Sequence, residues 1–253
     1  MFSASRSIKI TDLNNEKVIR KIDNHAKIYS LLVVDNYFIC AGDDKGNFKV
    51  WDYRVDRPVY LSLHECDEFI SDLDIDSNRR VVVASSGEGT LTAFNIRSRK
   101  MEKPQSELFD SGLQCVRFVE KKNKVVVGCE DGVINIFNNG QWGNISDRFP
   151  VKQNNSGLCS IDCIEMLDEE NILVIGCSDG TLQATSLFPH KPMNIFTKYD
   201  ESVESLDVNQ LTKQVVATSQ GNVKIFSYNI DRSEKNENHK RQNVSGFFSE
   251  LQQ

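Results

Sequence analysis

Five glycines, Gly46, Gly89, Gly132, Gly180 and Gly221, constrain this chain most, because each sits in the same pattern and successive copies are 41 to 48 residues apart. An apolar alternating run leads through a short polar turn into a second apolar run. The glycine turn follows, and then a third alternating run that mostly ends in an aromatic. The clearest copies are DSNRRVVVASSGEGTLTAFN (76–95), EKKNKVVVGCEDGVINIFN (120–138) and DEENILVIGCSDGTLQATS (168–186), while KVWD (49–52) and KIFS (224–227) close two more. A period of about 40–45 residues built on a four-strand unit is the signature of a propeller blade. The runs Val81-Val82-Val83, Val125-Val126-Val127 and Ile172-Leu173-Val174-Ile175 are short, β-branched and bounded by turn residues. That makes them strands rather than buried helices. A two-sheet sandwich is the alternative, but it does not require a repeat of this length.

The third strand of successive units ends at Thr11, Trp51, Phe94, Phe137, Thr185 and Phe226, so about six units are expected in an all-β chain. The first is expected to lack its opening strand, because residues 1–5 already read as the second. Repeats then occupy residues 1–230, and residues 231–253 form a polar linker and short tail. A unit missing a strand leaves a sheet edge open, and we expect a shortened form of a seven-bladed ring.

Composition narrows the function classes. With 39% hydrophobic residues and 26% charged, the 253-residue chain has material for a large core. Its net charge of −6 argues against direct binding of nucleic acid, although a local basic patch stays open. No run reaches the ~18 apolar residues of a membrane span, and residues 1–20 have no apolar signal core. Seven scattered cysteines, several inside apolar runs (Cys40, Cys129, Cys177), point to a reducing compartment. Cys159 and Cys163 are four apart with no second pair, so no metal site is expected. Phosphate-cradling and nucleophile-elbow motifs are absent, and no enzyme, cofactor or small-molecule substrate is expected.

Three groups of residues are candidates for partner binding. Trp51, Asp52 and Arg54 form the sharpest, since Arg offers a planar fork of donors favoured at interface hot spots. The alternative is a solvated turn in which Arg54 pairs with Asp52 or Asp56. Trp142, in NGQWGNISDRF (139–149), is either an exposed anchor with Arg148 as its polar neighbour or a filler between two blades. Phe247, Phe248 and Leu251 carry the spacing of a short amphipathic helix, to dock in a partner's groove or fold back on the repeats.

Trp51-Asp52, with His25 and His64 before opening strands, resembles the WD-repeat family. In that family a His, a hairpin Asp, a Ser or Thr and the Trp form a hydrogen-bonded tetrad. Here the hairpin Asp is kept at Asp131 and Asp179 but replaced by Lys45, Glu88 and Gln220. HAKIYSLLVVD (25–35), AGDDKGNFKVWDYR (41–54), ISDLDIDSNRRVVVASSGEGTLTAFNI (70–96), NGQWGNISDRF and GFFSEL (246–251) further resemble one branch of the family. That branch is associated with the nucleolus and with ribosomal RNA maturation. The resemblance implies a non-enzymatic scaffold in the nucleus, with pre-ribosomal proteins as partners and the cytoplasm as the other location. An Arg two residues after the Asp, as at Arg54, marks many family members that serve as substrate receptors of the cullin-4 ubiquitin ligase. That is the alternative function the resemblance implies.

Overall fold

A computed structural model describes residues 2–56, 58–151, 159–167 and 171–228. Among these residues the strands form six antiparallel sheets, each following chain order from one edge to the other. The first sheet contains β1 (Phe2–Ala4), β2 (Ser7–Asp12) and β3 (Lys17–Asp23). The second contains β4 (Ile28–Val33), β5 (Phe38–Asp43), β6 (Asn47–Asp52) and β7 (Val59–His64). The third is β8 (Ile70–Ile75), β9 (Val81–Ser86), β10 (Leu91–Asn95) and β11 (Lys100–Glu102). The fourth is β12 (Leu113–Val119), β13 (Lys124–Cys129), β14 (Val133–Asn138) and β15 (Gln141–Pro150). β16 (Ile161–Met166), β17 (Ile172–Cys177), β18 (Thr181–Leu187) and β19 (His190–Lys198) make the fifth. The sixth is β20 (Ser205–Asn209), β21 (Gln214–Ser219) and β22 (Asn222–Ser227). The expected repeat is therefore present, and Thr11 on β2 puts the first sheet in register with second, third and fourth strands. The chain divides at residue 161 into two compact units.

The glycine period has two physical causes. In four sheets the turn glycine donates its N–H to the carbonyl three residues back: Gly46 to Asp43 (3.3 Å), Gly89 to Ser86 (3.0 Å), Gly132 to Cys129 (3.1 Å) and Gly180 to Cys177 (3.0 Å). Closing that turn takes a positive φ, +71° at Gly46 and +81° at Gly180, which glycine adopts without strain. The following loop also crosses close over the turn. A Cβ on Gly46 would lie 2.0 Å from the Cys66 carbonyl oxygen, and one on Gly180 would lie 2.2 Å from that of Tyr199. No side chain fits in either place.

In the first unit each neighbouring pair of sheets shares an apolar layer. Ile8 and Ile22 of the first sheet pack on Ile28, Ile39, Ala41 and Trp51 of the second. Phe48 of the second sheet stacks on Phe94 of the third, centroids 4.2 Å apart, among Val50, Leu73, Val82 and Ala84. Val83, Leu91 and Ala93 then meet Val116, Val125, Val127, Phe137 and Trp142 of the fourth. The middle strands consequently bury residues on both faces, while β7 and β11 stay partly exposed.

The first strands of successive sheets run side by side, β4 beside β8 and β8 beside β12. Each has a register slip near its start, between Ile28 and Ser30, Ile70 and Asp72, and Leu113 and Cys115. A bulge re-aims a side chain out of the ladder. Here Ser30 and Ser71 donate to the carbonyls of Ile70 (3.1 Å) and Leu113 (2.6 Å) on the next first strand. The carboxylates of β8 continue this stitching. Asp72 accepts from Val116 N–H (3.1 Å) and Arg117 Nη1 (2.5 Å), and Asp74 accepts from Phe118 N–H (2.7 Å). The second unit has its own core, in which Leu182, Ala184 and Tyr199 pack against Val203, Val215, Ala217 and Phe226.

Candidate interaction surface around Arg54

β6 delivers the sharpest sequence candidate to its end. Its alternation sends Trp51 inward, 1% exposed, into the layer between the first two sheets. Asp52 follows at the strand's mouth, and the chain turns through residues 53–56 before β7. Arg54 folds back on Asp52 with two parallel bonds, Nε to Oδ1 at 2.9 Å and Nη2 to Oδ2 at 2.7 Å. The Arg54 N–H donates to the same Oδ1 at 3.1 Å. This fork-to-fork pair holds the Asp52 carboxyl below the usual range and raises the Arg54 guanidinium. The guanidinium also lies over the Tyr37 ring, 4.2 Å from its centroid, which is cation–π distance. Of the two carboxylates named as partners for Arg54, Asp52 is the one it pairs with. The pair does not use the whole fork, because Nη1 has no hydrogen bond among the described residues.

The turn is held from outside as well. Arg20 of β3 donates to the carbonyls of both Tyr53 and Val55. Tyr53 donates its hydroxyl to the Asn36 carbonyl and its N–H to Tyr37 O at 3.1 Å. Around Arg54, the side chains of Tyr37 and Val55 are about half exposed. Arg and aromatic residues are the types enriched at protein-docking surfaces, and here Arg54 lies against the half-exposed Tyr37. Neither Arg20 nor Tyr37 was a sequence candidate. Arg20 reaches the turn from another sheet, and nothing in its own neighbourhood marks it.

Of the two readings for Trp142, the filler is the one the structure shows and the exposed anchor is not. Trp142 lies on β15 but is 1% exposed, packed among Leu91, Ala93, Val125 and Phe137, and its indole N–H donates to Glu102 Oε2 at 3.1 Å. It fills the space between the third and fourth sheets and offers no anchor. Arg148 is not its neighbour either. Arg148 Nη2 pairs with Asp131 Oδ2 at 3.0 Å on the outer part of the fourth sheet. Lys198 pairs with Asp179 in the same way, at 3.2 Å. The hairpin carboxylates thus cap their turns, at Val133 N–H and Thr181 N–H, and pair with a base on the fourth strand. Asp43 does comparable work in the second sheet. It is 2% exposed and accepts from the backbone N–H groups of Lys45 and Asn47, both at 3.0 Å. Phe247, Phe248 and Leu251 lie outside the described residues.

Repeated four-strand antiparallel sheets with glycine-closed hairpins, a buried Trp51 and the Asp52 that follows it are consistent with a WD-repeat β-propeller. Consistent with this, the chain is similar to the WD repeat-containing protein 55 homolog of Drosophila melanogaster, 29% identical over 98% of this chain and 52% of that protein. It is likewise similar to the WD repeat-containing protein 55 homolog of Aedes aegypti, 31% identical over 97% of this chain and 55% of that one. The chain therefore spans about half the length of the curated relatives it matches. No family model matches it. Among solved structures it is similar to the computationally designed Ika8 protein, with a TM-score of 0.66 and 21% identity over 88% of this chain and 65% of that one. That likeness concerns the fold.

Proposed function

We propose that this chain is a non-enzymatic scaffold that holds protein partners, and that it serves ribosomal RNA maturation and ribosome assembly in the nucleus, chiefly the nucleolus. The observation that carries the scaffold reading is the clamped turn. Arg54 is fixed by Asp52 and Tyr37, the carbonyls of its neighbours Tyr53 and Val55 are held by Arg20, and Tyr37 and Val55 stand half exposed beside it. A preorganised patch loses little side-chain entropy on binding. The ribosomal part rests on likeness to WD repeat-containing protein 55 homologues along nearly the whole chain.

Arg54 itself favours a second reading, docking on the adaptor of a cullin-4 ubiquitin ligase as a substrate receptor. The open Nη1 leaves a donor for a partner's carbonyl or carboxylate. A tagged pull-down from nuclear extract, wild type beside Arg54→Ala, with bound proteins quantified by mass spectrometry, separates the two. Pre-ribosomal proteins recovered with wild type support the scaffold in ribosome assembly, and their loss with Arg54→Ala assigns that contact to the clamped turn. A ligase adaptor captured by wild type and lost with Arg54→Ala puts the receptor reading first.

A further inference from the structure

The first sheet has a polar face unlike the layers between the other sheets. Pairing of β2 with β3 sets Lys9 directly opposite Lys21. Like charges placed opposite one another on an antiparallel pair repel, and the arrangement costs stability. Two further cations join them. Arg6, between β1 and β2, and Lys27, just before β4, line the same open concavity of about 490 Å³, together with Ser5 and Ser7. The local compensation is small. Lys21 has Asp23 at 2.8 Å, and Lys27 Nζ stands over the Tyr29 ring, 4.7 Å from its centroid. Arg6 and Lys9 have no ion-pair partner among the described residues. Four cations thus line one concavity, with Asp23 on Lys21 and the Asp44 carboxylate at the Lys27 N–H (3.2 Å) beside them, in a chain whose net charge is −6.

We infer that this concavity is a docking pocket for a phosphorylated side chain of a protein partner; the inference rests on the scaffold reading and names the chemistry of one of its contacts. A phosphoryl group concentrates about −1.5 to −2 charges and three acceptor oxygens at one point. Placed between Lys9 and Lys21 it turns their repulsion into two charge-assisted bonds. Arg6 supplies a planar fork suited to two phosphate oxygens, and Ser5 and Ser7 supply hydroxyl donors. A nucleic-acid strand fits less well. Its charge is spread along its length, so affinity grows only where a basic track continues beyond one contact. Here the cations gather in a single concavity.

The test is fluorescence anisotropy on the full chain with degenerate peptides centred on phosphoserine or on serine, and with inorganic phosphate and a short oligouridine as competitors. Wild type should prefer the phosphoserine peptides by about tenfold or more, and inorganic phosphate should compete. Lys9→Gln combined with Lys21→Gln should abolish the preference. Because these changes remove a repulsion, the thermal midpoint should hold or rise. Arg6→Gln, outside the strand pairing, provides a second variant with a weaker loss. Equal binding of both peptides, or a preference that survives Lys9→Gln/Lys21→Gln, overturns the proposal. So does oligouridine binding that is tighter than the phosphopeptide and lost in the double variant, which would make this a nucleic-acid surface. The scaffold reading fails separately, if the nuclear pull-down recovers no protein partner.

Discussion

Asp74 offers a test of how the first strands of the first unit are held together. Its carboxylate reaches from β8 to Phe118 N–H on β12 at 2.7 Å, and its other oxygen accepts from Ile75 N–H at 2.9 Å. Burial pushes this carboxyl up to about 6, with Asp72 acting in the same direction. Arg117 and the two N–H donors offset only part of that rise. The folded protein therefore keeps a proton on Asp74 at pH values where the unfolded chain, titrating near 4, has lost it. Where the native state binds more protons, stability falls as pH rises. The loss begins near pH 4, is complete a little above pH 6, and corresponds to at most about 2–3 kcal/mol. Asp74→Asn keeps an oxygen for Phe118 N–H and removes the charge. The variant should fall somewhat below the parent near pH 4, because its amide nitrogen cannot accept from Ile75 N–H, and exceed it by about 1–2 kcal/mol at pH 7.5. Urea unfolding across that range, followed by tryptophan fluorescence, measures it directly, because Trp51 and Trp142 are both buried in the same unit as Asp74. A variant less stable than the parent at pH 7.5 would refute the reasoning. It would mean that the ionised carboxylate is a net stabilising partner of Arg117 and the Phe118 amide.

Three further outcomes are expected. Trp142→Ala should lower stability by roughly 3–5 kcal/mol through the cavity it leaves beside Phe137, without altering partner capture, as chemical denaturation alongside the pull-down will reveal. Gly46→Ala should cost more than ~1 kcal/mol, because the new Cβ meets a positive φ and the Cys66 carbonyl oxygen together; the thermal midpoint reports it. Arg20→Ala should weaken any Arg54-dependent partner while moving the thermal midpoint little, since it frees the 53–56 turn and leaves Ile8, Ile22 and Trp51 packed. Affinity measured for the captured partner distinguishes this from unfolding.

How much was legible in the sequence follows from where the constraint lies. In the second to fifth sheets the second strand announces itself because burial on both faces demands a continuous apolar run, as in Val81–Ser86 and Ile172–Cys177. The fourth strands were not located, because they lie at a sheet edge and need little apolar material; Lys100–Glu102 has no hydrophobic pattern to read. At the site, Asp52 pairing with Arg54 is local and was foreseen as one of two readings. The Arg20 clamp was not, because it joins positions more than thirty residues apart in different sheets. Trp142 stayed between two readings for the opposite reason. Its Gly- and Asn-rich neighbourhood looks like a loop, yet Gln141–Pro150 is a strand whose first inward position it occupies. The indole's need for a partner is met by Glu102.

The two surfaces proposed here depend on one strand, and the pleat of that strand keeps them separable. Opposite Ile10, Lys9 and Ile8 on β2 stand Arg20, Lys21 and Ile22 on β3. Successive side chains on a strand point to opposite faces. Arg20 and Ile22 accordingly face the second sheet, where Ile22 packs against Ile28 and Trp51 and Arg20 reaches the carbonyls of the Arg54 turn. Lys21 faces the other way with Lys9, into the concavity. A slip of one residue in the β2–β3 register would exchange the faces, exposing Ile8 and Ile22 and burying Lys9 and Lys21. The apolar layer against Trp51 forbids that slip. The same packing that fixes Arg20 beside the Arg54 turn therefore forces the two lysines together on the open side. Their repulsion follows from a register set elsewhere, and an anionic partner in the concavity would relieve it without disturbing the Arg54 surface.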